Sequence, residues 1–185
     1  MTTGRVLILC IILTVSACAS YKQMSVAPPP PGQQVAVIST VDVKEFNREA
    51  YDHIVDNPFT AGERHEMIVR ALADLSNRHW EVIPLEDIHR HALWVAHLES
   101  LLPPFETVYT NNPLTRLLFE NSGYSVIAPH LVDRDRFEGR KVREAMATGA
   151  DWESLVPPPV AAFLRGIEGP SRVRLLTART ETPYR

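Results

Sequence analysis

The sequence predicts an α/β fold, a single compact domain with a small, mainly central sheet flanked by helices. Three observations predict it. Val35-Ala36-Val37-Ile38 is an unbroken apolar run without alternation, as in a strand covered on both faces. Thr60-Ala61-Gly62-Glu63 has the pattern of a capping box, and Met67, Ile68, Ala71, Leu72 and Leu75 follow it at helical spacing. A helix-then-strand unit is used twice, once leading into Trp80-Glu81-Val82-Ile83-Pro84 and once into Tyr124-Ser125-Val126-Ile127-Ala128-Pro129. Two copies are ordinary α/β alternation rather than a solenoid.

The chain begins with one positive charge, Arg5, then an apolar run from Val6 to Val15, then the small residues Ser16, Ala17 and Cys18. That order is the order of an export signal. A helix crossing a bilayer needs roughly 20 apolar residues, so the run is too short to be a retained span. Val15-Ser16-Ala17-Cys18 resembles the lipobox of bacterial lipoproteins. The resemblance implies that a diacylglycerol is attached to Cys18 and that residues 1–17 are removed. Ala19 in place of an aspartate implies the cell outer membrane, with the lipid in the periplasmic leaflet and the membrane itself as partner. Cleavage after Ala19 instead would release a soluble protein starting at Ser20. The other thiol, Cys10, lies inside the presumed signal, so no disulfide is expected.

On this reading residues 18–34 are a lipidated cysteine and a tether, with Pro28 to Pro31 favouring extended geometry. Residues 35–180 form the domain. The whole chain has 185 residues, 45% of them hydrophobic and 22% charged, which is enough for a real core. Its formal charge of −3 comes with scattered basic residues, which excludes the basic stripe of a nucleic-acid binder.

The remaining elements follow from local signals. Phe46, Ala50, Tyr51, Ile54 and Val55 recur at helical spacing until Pro58. A strand over Trp80 to Ile83 is expected to end at Pro84, and a long helix to run from Leu85 to Leu102, ahead of Pro103-Pro104. Phe105 to Thr110 reads as a short strand. Asn112 as cap and Pro113 as first helical residue open a helix through Leu114, Leu117 and Leu118, stopped at Ser122-Gly123. Tyr124 to Ile127 is a strand, Arg136 to Thr148 a helix and Val160 to Ile167 a short helix beyond Pro157 to Pro159. A strand-like run from Arg172 to Thr177 and a frayed tail over residues 181–185 complete the chain.

Several constellations invite chemistry. His89, His91 and His97 on one helix would be spread at about 100° per residue and cannot share a face, so solvated or capping histidines are expected rather than a metal site. His65-Glu66 starts like the zinc-protease motif HExxH, but Val69 stands where the second histidine is needed. Gly123-Tyr124-Ser125-Val126-Ile127 matches the nucleophile elbow GxSxG except at Ile127, and Ser125 precedes more strand rather than a helix. Asp133, Asp135 and Glu138 form an acidic cluster interleaved with Arg134, Arg136, Arg140, Lys141 and Arg143, the pattern of a salt-bridged, solvated face. No glycine-rich phosphate loop occurs, which disfavours nucleotide binding. No catalytic, cofactor-binding or metal-ligating residue is therefore expected, and no cofactor.

The stretch from Val35 to Ile88, an unbroken strand behind a Pro-rich segment followed by a capped helix and an aromatic-led strand, is similar to periplasmic domains of the TolB and CsgG lipoprotein-associated kind. The resemblance implies envelope assembly and an envelope protein partner. The expected function is accordingly that of a non-enzymatic, outer-membrane-anchored lipoprotein, a scaffold or accessory factor in envelope assembly, maintenance or secretion. The alternative is a periplasmic hydrolase or ligand-binding enzyme using the histidine-rich or acidic segments.

Overall fold

The computed structural model describes residues 6–11, 24–25, 34–41, 57–73, 79–86, 88, 90–131 and 133–180. In chain order the strands are β1 (Val6–Ile11), β2 (Met24–Ser25), β3 (Gln34–Val41), β4 (His79–Glu86), β5 (Phe105–Tyr109), β6 (Ser125–Ile127) and β7 (His130–Leu131). The helices are α1 (Ala61–Leu72), α2 (His91–Leu101), α3 (Pro113–Asn121), α4 (Arg134–Phe137), α5 (Gly139–Thr148), α6 (Pro158–Gly166) and α7 (Gly169–Thr180), with a 3₁₀ turn at Glu153–Leu155. The α/β class expected from the sequence is the class observed.

The elements group into two units. The first holds a five-stranded sheet of order β4-β3-β1-β5-β6, with α2 and α3. β1 is the middle strand. It pairs in parallel with β3, from Val6 opposite Gln34 to Ile11 opposite Ser39, and on its other side with β5, where Leu9 faces Tyr109. This corrects the export-signal reading of that run. A short, continuous apolar stretch looks the same whether it is the core of a signal or a strand shielded on both faces, and periodicity cannot separate the two. Cys18, Pro28 to Pro31, most of the expected tether and the helix expected over Phe46 to Val55 lie outside the described residues.

β4 also departs from expectation, because it runs through Pro84 to Glu86 and pairs with β3 along its length, Pro84 facing Ser39. Proline removes a ladder donor, and β4 tolerates it as an edge strand with one unpaired side. The following helix consequently begins at His91 rather than Leu85. The core of this unit gathers Leu85, Trp94, Val95, Leu98, Leu102, Phe105, Val108 and Phe119, with Leu98, Val108 and Phe119 wholly buried. Phe105 stacks on Tyr124 at 4.6 Å, and Phe119 meets the same ring edge-on at 5.5 Å. The Tyr124 hydroxyl donates to Glu99 at 2.6 Å, and burial followed by that carboxylate pushes its pKa up to about 12.

The second unit holds α1 and α4 to α7 around Phe59, Met67, Met146, Trp152, Val160, Leu164 and Val173. α1 opens with the expected capping box: the Glu63 N–H donates to Thr60 Oγ1 at 3.2 Å, and the Thr60 N–H donates to Glu63 Oε2 at 2.8 Å. The run Arg172 to Thr177, expected as a strand, lies inside α7. α7 starts at Gly169, where a Cβ would come within 3.1 Å of Leu164 and 3.2 Å of the Phe59 ring, so a side chain there would force α7 away from α6.

Candidate functional site

All four pairings in the five-stranded sheet are parallel, so the carboxyl ends of its strands share one edge. From β1 the chain steps outward to β3 and β4, then returns to the other side of β1 for β5 and continues outward to β6. The direction of stepping reverses between β1 and β5. In open α/β sheets, ligands bind outside the carboxyl ends of the strands at such a reversal, because the flanking connections diverge there and leave a crevice.

What stands on that edge is the corner Thr110-Asn111-Asn112 at the end of β5. Thr110 is 4% exposed; its N–H donates to the Ile127 carbonyl at 3.0 Å, and its hydroxyl accepts the Asn112 N–H at 3.1 Å. Asn112 caps α3, its Oδ1 accepting from the N–H groups of Leu114 at 2.9 Å and Thr115 at 3.0 Å. Between them Asn111 is exposed, and its side-chain Nδ2 donates to the carbonyl of buried Pro129 at 2.9 Å. The corner of β5 is thereby tied to the segment that follows β6, and two neighbouring carboxyl ends are held in fixed register.

The residues singled out from sequence are placed differently. His91 is the exposed first residue of α2, and His97 lies on the same helix with its Nε2 buried and unpartnered and its ring 6.0 Å from that of Trp94. His89 lies outside the described residues. Among the described residues no three histidine, cysteine, aspartate or glutamate side chains gather in a group that could hold a metal ion. His65 is half-buried on α1 with an unpartnered Nδ1, while Glu66 pairs with Arg70 at 2.7 Å. Ser125 opens β6, exposed and paired through its backbone with Thr107, with no helix turn after it. Asp133 and Asp135 are exposed at α4, and Glu138 stands 3.7 Å from Arg140, an exposed ion pair. None of these residues belongs to the Thr110-Asn111-Asn112 corner. Sequence reasoning used Asn112 only as a helix cap and passed over Asn111. The signal available is Thr-Asn-Asn-Pro between a strand and a helix, but its meaning depends on strand order, which the local pattern of β1 does not reveal.

No family model matches the chain. It is 46% identical over 131 residues to a protein of Thermoplasma volcanium, the match covering 71% of this chain and 74% of the relative. It is 50% identical over 122 residues to one of Methanosphaerula palustris, 66% of this chain and 72% of the relative. It is 43% identical over 132 residues to one of Archaeoglobus fulgidus, 69% of this chain and 76% of the relative. Each of these is named a nicotinamide-nucleotide adenylyltransferase. A continuous match of 131 residues within 185 starts no later than residue 55 and ends no earlier than residue 131, so the Thr110-Asn111-Asn112 corner lies inside it.

These relatives overturn the expectations of a bacterial lipoprotein, of a TolB- or CsgG-like envelope domain, of a non-enzymatic scaffold and of a periplasmic hydrolase. The outer-membrane address, the lipid-anchored membrane partnership and the envelope partner fall with them, and among the described residues no helix is long and apolar enough to cross a membrane. The inference against nucleotide binding rested on missing glycine-rich loops, and relatives named for a nucleotide remove that ground. The chain belongs to the family of nicotinamide-nucleotide adenylyltransferases.

Proposed function

We propose that this chain transfers an adenylyl group from ATP to a nicotinamide nucleotide. The observation that carries the reading is the 43–50% identity to adenylyltransferases over a stretch that includes the carboxyl end of β5. The strand order β4-β3-β1-β5-β6 supports it, since an open parallel sheet with a reversal beside its first strand is a nucleotide-binding architecture. In the reaction a phosphate oxygen of the nicotinamide nucleotide attacks the α-phosphorus of ATP. A new P–O bond forms, the bond to the β-phosphate bridging oxygen breaks, and pyrophosphate leaves with the electron pair. Such a displacement asks a protein chiefly for alignment of the reacting groups and for positive charge near the phosphate oxygens.

The first unit has a group suited to alignment. The Thr110-Asn111-Asn112 corner has its backbone fixed by hydrogen bonds and can hold a nucleotide ring without first being ordered. The test is incubation of the purified full chain with ATP, magnesium and nicotinamide mononucleotide. Formation of the dinucleotide with one pyrophosphate released per product is expected. Absence of both from a protein with a cooperative thermal transition overturns the reading.

A further inference from the structure

Asn111 has hydrogen-bonding capacity beyond its grip on Pro129. A primary amide carries one acceptor oxygen and two donor hydrogens, and which end faces a neighbour is decided by that neighbour's chemistry. The Pro129 carbonyl can only accept, so the amide nitrogen faces it, at 2.9 Å. One N–H and the Oδ1 of Asn111 remain, a donor and an acceptor in one plane. The two residues beside it are committed already: the Thr110 hydroxyl accepts the Asn112 N–H, and Asn112 Oδ1 accepts two N–H groups of α3. Asn111 is exposed while Pro129 is buried, so an exposed side chain is anchored to a fixed point and loses little rotamer freedom when a ligand arrives.

Resting on the adenylyl-transfer reading, the geometry points to Asn111 as a specificity-determining residue that recognises a flat substrate edge carrying an N–H donor next to an acceptor. Two parts of the substrates present such an edge. The carboxamide of nicotinamide has an amino group beside a carbonyl, and adenine has its 6-amino group beside N7, a pair that asparagine reads in nucleic acids. An edge without the donor is rejected. A nicotinate carboxylate would set an anionic oxygen against Asn111 Oδ1, and a purine without the 6-amino group would leave that oxygen unpaired.

The experiment compares the full chain with Asn111→Ala and Asn111→Ser, using nicotinamide against nicotinic acid mononucleotide as acceptor and ATP against the triphosphate of purine riboside as donor. In the wild type, one of the two preferences is expected to be tenfold or more, the scale of discrimination that one two-point hydrogen-bonding edge provides. Both variants should cut that preference to about threefold or less through KM rather than kcat, with a lowered thermal midpoint from the lost Pro129 hydrogen bond but a transition that stays cooperative. A change in the acceptor arm assigns the edge to nicotinamide, and a change in the donor arm assigns it to adenine. If neither preference moves in variants that fold, the assignment to Asn111 is overturned while the adenylyl-transfer reading stands. If the wild type forms no dinucleotide, that reading fails by itself. Asn111 is then judged by its side-chain amide resonance in the wild-type protein, titrated separately with nicotinamide mononucleotide and with ATP. A shift with either supports the proposal, and no shift with either overturns it.

Discussion

Glu63 shows how one side chain can serve two levels of structure. Its Oε2 accepts the Thr60 N–H and so helps to close the first turn of α1, while Arg172 of α7 grips the same carboxylate twice, at 2.6 and 2.9 Å. Burial alone would raise the Glu63 pKa, but the hydrogen bonds and charge of Arg172, with the Thr60 bonds, outweigh it and hold the carboxyl below its ordinary 4.5. A carboxyl depressed in the fold binds its proton less readily there than in the unfolded chain. The stability it contributes is therefore complete above the unfolded value and is lost as pH falls through the folded one. Glu63→Gln should cost about 2 kcal/mol at pH 7, the scale of hydrogen bonds to a charged group. Thermal melts of both proteins from pH 7 to pH 3 should show the gap shrinking in the acid range. A gap that stays constant with pH would mean that the ion pair contributes nothing through titration.

At the scale of elements, legibility followed the end signals. α1 was readable because Thr60 and Glu63 mark its start, and α3 because Asn112 and Pro113 mark its own, both being local chemistry within a few residues. α7 was not. Arg172-Val173-Arg174-Leu175 alternates as a strand would, placing Val173 and Leu175 on one face, whereas in the helix they lie about 200° apart. Val173 is buried at 2% exposure and Leu175 stands 54% exposed, so packing of one residue decided the element over the local pattern. Pro84 misled for a similar reason, since only the sheet order reveals that β4 is an edge strand. The cap of α3 gives the direct test at this scale. Asn112→Ala leaves the Leu114 and Thr115 N–H groups without their acceptor and should cost about 1 kcal/mol, while Asn112→Asp or Asn112→Ser, which keep an acceptor, should lose much less. Denaturant midpoints of the three variants decide it, and equal losses across all three would show that the cap is not what matters at this position.

At the scale of the molecule, the candidate site was illegible for one physical reason. The site is a property of strand order, and strand order hinges on β1, the stretch whose sequence also fits an export signal. Assigning Val6–Ile11 to a leader leaves a sheet without its middle strand, without a reversal point and without an address for Asn111. The two assignments make opposite predictions about one truncated chain. If residues 1–17 were a leader, a protein starting at Cys18 would fold as well as the full chain. In the structure that truncation removes β1, so β3 and β5 each lose a parallel partner and their facing N–H and C=O groups are left unpaired in the centre of the sheet. Unsatisfied buried backbone groups cost on the order of 1–3 kcal/mol each, and several at once are comparable to the 5–15 kcal/mol that holds an ordinary domain together. The chain lacking residues 1–17 should therefore show no cooperative thermal transition for the sheet unit and no binding of nicotinamide mononucleotide. Circular dichroism melts beside the full chain measure the first and calorimetry the second. A truncated chain that melts at the full-length midpoint would show that the sheet does not depend on β1.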